Sequence, residues 1–298
     1  MSATATLPEK APARKFDNGH YRKDQKFIVY DGPLENLPYP ETFNLEAAID
    51  AMFTDGFAII PGVLTREEVA ELRHKMDTSG GPDEQYDQTK IGWCFNKHLS
   101  VEYHKDPHFL RYIDRPGVVD IARAVLGGDC RIHSGTLWIT GPGRRMPIHA
   151  DFLPVAMPEE FAMDPRVRVP IHECVAQFYL DDLTADIGPT IVVPGSHMSG
   201  RAPDSETEWR GRKPKAAMLK AGDVLLFRFD CWHGAYSNTN KQGKRRYIMQ
   251  QAYSHRRTET GYPPMVYDHY WNPEVIKLAT PRQKQLLGGV VKAEEKKY

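Results

Sequence analysis

Residues 131–152 read RIHSGTLWITGPGRRMPIHADF, and two properties of this stretch decide the fold. Arg131–Thr140 is a ten-residue run rich in β-formers, closed by the turn signal Gly141-Pro142-Gly143. The chain then resumes as Pro147-Ile148-His149-Ala150-Asp151-Phe152. On extended backbone, residues two apart face the same side, so the imidazole of His149 and the carboxylate of Asp151 can reach one ion. One His and one carboxylate are two of the three ligands of the 2-His-1-carboxylate facial triad that holds non-haem Fe(II).

Moving outward, similar short runs recur between Pro/Gly/Asp turns: Cys174–Leu180, Thr190–Pro194, Val224–Phe229 and Arg246–Tyr253. Many short, punctuated strands predict a sandwich or barrel. No period of about 20–50 residues repeats, which excludes a solenoid. Upstream the character is helical. Asn44 caps a predicted helix to Thr54, with Gly56 as its stop. Phe57–Ile60 reads as a strand. Thr65 and Glu68 form a capping box for a helix to Met76. A third helix is expected from Pro116, at its first position, to Leu126. Residues 77–108 read as a long loop or lid, and a short helix is expected near Arg282–Leu287. The prolines at 8, 12, 33, 38 and 40 argue for an extended arm over 1–40, apart from a short edge strand at Phe27–Tyr30. The expected organisation is that arm, then one domain over 41–298, with helical support over 41–128, a β core over about 130–255 and a tail from 256.

The third metal ligand must come from elsewhere. His233 follows the apolar run Val224–Phe229, a sheet position able to face His149 across a sandwich. Three protein ligands on an octahedral ion leave three positions for bidentate 2-oxoglutarate and O2. The distal carboxylate of 2-oxoglutarate calls for a guanidinium fork rather than an ammonium. Arg245 and Arg246 begin the strand after His233. Alternation lets one of them point inward, and Arg245 is preferred.

These residues, taken together, resemble the phytanoyl-CoA dioxygenase family of 2-oxoglutarate oxygenases over about residues 45–255. The resemblance is carried by Leu180-Asp181-Asp182, Gly188-Pro189, Pro194-Gly195-Ser196-His197, Gly222-Asp223, His233-Gly234, Asn238 and Arg245, with His104–Phe109 and Val125-Leu126-Gly127 in the helical part. It implies a double-stranded β-helix (jelly-roll or cupin-like) core. It implies that His149, Asp151 and His233 bind iron, and that Arg245 holds 2-oxoglutarate while substrate is oxidised and succinate and CO2 are released. Two departures stand out. Ala235 occupies the place where the family often has Ser, with Ser237 two residues on, and the spacing from His233 to Arg245 is one longer than expected, which keeps Arg246 in play. The family's halogenases lack the carboxylate, so Asp151 implies hydroxylation, desaturation or ring formation.

Other residues are weighed against plainer roles. Trp138, Phe152, Gln177 and Tyr179 can line a substrate pocket, although aromatic residues there are more often core. Arg228, inside an apolar strand, either meets a substrate anion or lies on the outer sheet face. His197 braces its turn. His172-Glu173 lacks the second His of a zincin helix, and phosphate-loop and nucleophile-elbow motifs are missing. The insert Leu153–Ile171 is well placed to shape substrate access. His98, His104 and His108 cluster in the expected lid.

The balance of 39 basic and 39 acidic residues argues against a duplex nucleic-acid partner. No apolar run approaches the roughly 18 residues that span a bilayer. The N-terminal fifteen residues lack the apolar core of a secretory signal, so a cytoplasmic location follows. The four cysteines are widely separated and expected as reduced thiols. The expected partner is a small molecule. Homo-oligomerisation stays open, as do a cupin-like metal enzyme without 2-oxoglutarate and a catalytically silent binding protein on the same core.

Overall fold

A computed structural model describes residues 28–79, 83, 94–101, 106–151, 161, 164, 166–258 and 273–287. Helix α1 (Leu45–Thr54) is capped by the Asn44 side chain, which accepts from Ala47 N. Helix α2 (Arg66–Thr78) carries the reciprocal Thr65–Glu68 box and runs two residues past Met76. Helix α3 (Val118–Leu126) starts later than expected: Gly117 has φ 77°, outside the helical region, so Pro116 lies before the helix instead of at its first position. The chain ends in α4 (Pro273–Leu278) and α5 (Pro281–Leu286).

Eleven strands are described: β1 (Glu35–Asn36), β2 (Phe57–Ile60), β3 (Lys97–Ser100), β4 (Arg131–Thr140), β5 (Met146–His149), β6 (Glu173–Tyr179), β7 (Thr190–Val192), β8 (Lys215–Ala216), β9 (Val224–Arg228), β10 (His233–Ala235) and β11 (Arg246–Ser254). They form a six-stranded sheet in the order β2-β9-β6-β11-β4-β3 and a five-stranded sheet in the order β1-β8-β7-β10-β5. The result is a mainly β, two-sheet sandwich of jelly-roll type.

The large sheet is buried on both sides, which explains why β6 and β9 carry apolar residues on both faces. Its outer residues, including Leu137, Ala176, Phe178, Leu226 and Met249, pack on Met52, Leu72, Met76 and Ile121 of the helices. Its inner residues Val175, Tyr179, Leu225, Phe227 and Ile248 meet Ile187 and Val192 from the smaller-sheet side.

Two expectations are corrected here. The segment read as a lid contributes β3, an edge strand paired to β4. Its polar composition hid it, because only one face of an edge strand needs to be apolar. The segment read as an extended arm is joined to the smaller sheet from residue 28 onward. Ile28 O accepts from Ile148 N, β1 pairs with β8, and Tyr30 and Leu37 are buried. Residues 1–27 and most of 80–93 lie outside the described residues. Among the described residues the four cysteines are buried and form no disulfide, and no helix is long and apolar enough to cross a membrane.

Candidate metal centre

Strands β5 and β10 are antiparallel neighbours, with His149 directly opposite His233. Both side chains point into the sandwich, because Ile148 and Trp232, the residues before them, pack on the outer face of the smaller sheet. Each ring is aimed in the same way. His149 Nδ1 lies 2.8 Å from Pro147 O, and His233 Nδ1 lies 3.0 Å from Cys231 O. A carbonyl only accepts, so Nδ1 carries the proton and Nε2 presents its lone pair.

Asp151 follows β5, and its backbone N–H donates to Phe229 O at 2.9 Å. Its carboxylate then stands 3.4 Å from His149 Nε2 and 3.5 Å from His233 Nε2. One donor atom from each of the three residues falls within 4.8 Å of the other two. Gly234 is required by this pairing: a Cβ there would lie 2.8 Å from Met146 O and 2.9 Å from Pro147 O.

The electrostatics suit a cation. Burial pushes the His233 pKa down to about 4, helped by the neighbouring His149. Burial also opposes charge on His149, but the hydrogen bond and charge of Asp151 prevail and hold its pKa above the ordinary imidazole value. Desolvation would raise the Asp151 pKa, yet the two imidazoles keep it below the usual carboxylate range. Two Nε2 atoms and one carboxylate therefore converge on one point. That donor set fits a divalent transition metal of the facial-triad kind. Both imidazoles are buried while the Asp151 side chain is 34% exposed.

A second polar group lies along the inner face of β4 and β11. Arg246 pairs in register with Thr140, Ile248 with Trp138 and Gln250 with Thr136. Arg246 is 3% exposed; its Nη1 donates to Gly188 O, and among the described residues its Nε has no partner. Thr140 Oγ1, Trp138 Nε1 and Thr136 Oγ1 are likewise buried without partners. Each such orphan costs about 1–3 kcal/mol, and four on one face mark a place for a polar ligand. Gln177 is fixed beside them: it accepts from Tyr179 Oη at 2.8 Å and Thr190 Oγ1 at 3.1 Å and donates to Gln250 Oε1 at 3.1 Å.

The preference for Arg245 as the inward arginine is corrected. Strand alternation turns Arg245 outward, where it pairs with Asp83 at 2.5 Å, and turns Arg246 into the sandwich. Of the two roles open to Arg228, the outer sheet face is the one the structure shows, and the substrate-anion role is set aside. Arg228 is fully buried on the helix-facing side of β9, and its donors are committed to both Asp230 oxygens, Val169 O and Pro170 O. Ser237 is half-buried beyond β10. Trp138 lies 4.7 Å from the Phe95 ring. Phe152, His104 and most of the insert after Asp151 lie outside the described residues. His197 braces its turn against α1, Nε2 being 3.1 Å from Phe53 O. Sequence reasoning missed Thr136 and Thr140, although their alternation with Trp138 was a readable signal. It also missed His133 and Glu173, which a β-bulge brings together.

Comparison with known proteins adds the following. A family model described as phytanoyl-CoA dioxygenase (PhyH) matches residues 53–247. The uncharacterized protein Rv1501 of Mycobacterium tuberculosis is 28% identical over 256 residues, covering 82% of this chain and 87% of its own. Among solved structures, HygX from Streptomyces hygroscopicus with nickel and 2-oxoglutarate bound superposes with a TM-score of 0.55 at 18% identity, over 71% of this chain and 87% of HygX. AviO1 from Streptomyces viridochromogenes gives 0.55 at 21% identity, over 74% and 99%. The epimerase SnoN, in complex with Fe3+, alpha ketoglutarate and nogalamycin RO, gives 0.54 at 19% identity, over 70% and 83%. HygX has also been crystallised with hygromycin B.

Proposed function

Because the chain belongs to the phytanoyl-CoA dioxygenase family, we propose that it is an Fe(II)- and 2-oxoglutarate-dependent dioxygenase that hydroxylates or otherwise oxidises a small organic molecule, releasing succinate and CO2. The observation that carries this reading is the convergence of His149 Nε2, His233 Nε2 and the Asp151 carboxylate on one point inside the sandwich. When bound, ferrous iron supplies the O2 chemistry that couples decarboxylation of 2-oxoglutarate to oxidation of the substrate.

The protein's own contribution is position, charge and dryness. His149, His233 and Asp151 hold the ion, each imidazole kept in its tautomer by a backbone carbonyl. Phe227, 4.5 Å from the His233 ring, shields that ligand from water. Arg246 takes the distal carboxylate of 2-oxoglutarate through the Nε–H left without a partner, and Thr140, Trp138 and Thr136 are donors along the same face. The core is read as a double-stranded β-helix. The proteins of like fold that hold hygromycin B or nogalamycin RO support a small organic substrate.

The test is a set of anaerobic Fe(II) titrations with 2-oxoglutarate, followed by a substrate screen scored by 2-oxoglutarate-dependent gain of one oxygen mass. His149→Ala and Asp151→Ala are expected to lose iron binding and succinate release while melting as folded proteins. Full iron-dependent turnover in either variant would overturn the assignment.

A further inference from the structure

On the inner face of β6, Glu173, Val175, Gln177 and Tyr179 follow one another from one end of the sandwich to the other. Tyr179 lies at the Arg246 end, since β11 pairs it with Ile248; Glu173 lies at the opposite end, paired with Ser254. Asp151 N donates to Phe229 O, and Phe229 N donates to Glu173 O at 3.2 Å, so one residue links the carboxylate ligand to Glu173.

Glu173 is 5% exposed. Among the described residues its ion-pair partner is His133 Nδ1, at 3.5 Å. That imidazole is there because β4 bulges. Ser134 pairs with Ala252 and Ile132 with Tyr253, so His133 is an extra residue in the strand. The bulge sets it beside the inner-face residue Phe229, with ring centroids 6.2 Å apart. Among the described residues, two cations of this region are committed elsewhere. Arg131 donates to Thr258 O, and Arg228 is taken up by Asp230 on the other face. A carboxylate at this depth is costly without a full counter-charge.

Building on the oxygenase reading, we propose that Glu173 is the substrate-recognition residue and that it receives a protonated amine of the substrate, with His133 steadying the carboxylate. The substrate class is thus an amine-bearing small molecule, held by its ammonium group on the far side of the metal from Arg246.

The experiment uses the full chain loaded anaerobically with Fe(II) and 2-oxoglutarate. Calorimetric titration compares glucosamine with N-acetylglucosamine, tyramine with N-acetyltyramine, and kanamycin A with its fully N-acetylated form. At least one free amine is expected to bind about thirtyfold or more tightly than its acetylated counterpart, as for a buried charge pair that loses one partner. Glu173→Gln should erase that preference. Glu173→Asp should keep its direction at reduced strength, which a carboxylate needed only for folding would not do. The Fe(II)–2-oxoglutarate absorbance band is recorded on every sample. Absence of the band in the wild-type chain defeats the oxygenase reading itself. A band together with no amine binding, no preference for the free amine, or a preference that survives Glu173→Gln overturns this inference alone.

Discussion

Replacing Arg246 by Met removes the guanidinium from the inner face of β11 and keeps most of the side chain's volume. Arg246 is 3% exposed and has an Nε–H with no partner among the described residues, so a carboxylate meeting it there is desolvated. Truncating one partner of a buried, hydrogen-bonded charge pair costs roughly 2–5 kcal/mol, or about 30- to 5,000-fold in affinity. Arg245 provides the internal control. Its link is an exposed pair with Asp83, worth about 0–1 kcal/mol, and Arg245→Ala should weaken 2-oxoglutarate less than about fivefold. The assay is titration of the Fe(II)–2-oxoglutarate absorbance band, repeated with pyruvate, which lacks the distal carboxylate. Arg246→Met should abolish the advantage of 2-oxoglutarate over pyruvate and leave pyruvate binding nearly unchanged. If Arg245→Ala weakened 2-oxoglutarate as much as Arg246→Met did, the strand-register argument would be refuted.

Three further outcomes are expected. Burial holds the His197 pKa down at about 3, below the ordinary value of about 6.5; its stabilisation is complete above pH 6.5 and is lost as pH falls toward 3. Urea unfolding at pH 7 and pH 4.5 should therefore show a stability loss roughly 2 kcal/mol smaller in His197→Gln than in wild type, and equal losses would count against a buried neutral imidazole. Gly234→Ala drives a methyl group into the backbone of β5; it should cost about 1–3 kcal/mol in urea unfolding and weaken Fe(II) binding, because the strand carrying His149 is displaced. Arg228→Met strands the Asp230 carboxylate in the core and should cost about 3–5 kcal/mol; adding Asp230→Asn should recover much of that loss, and a double variant no more stable than the single one would contradict the pairing.

The parts of the site that were legible in the sequence are those set by local periodicity. His149 and Asp151 share a face because extended backbone alternates. His233 could be nominated because it follows an apolar run that must be a buried strand. The same alternation showed that one of two adjacent arginines points inward, but the direction depends on where β11 enters the sheet, and its register with β4 turns Arg246 to Thr140. Arg228 kept two readings open for a related reason. A charged residue in an apolar strand advertises a partner, and the Asp230 that satisfies it lies two residues on, beyond the strand end, where periodicity says nothing about its direction.

What the chain determines by itself, then, is which segments become strands and helices, where the caps fall, and which residue types can bind a metal. Hydrogen-bond periodicity and side-chain alternation act over a few residues, so they can be read from order alone. The tertiary structure decided the rest: that β5 and β10 lie side by side with their histidines opposed, that Arg246 faces inward beside three donors without partners among the described residues, and that a single-residue bulge carries His133 to Glu173. Those are matters of register between strands distant in sequence. They are fixed by burying both faces of the large sheet at once, a condition that no local stretch contains.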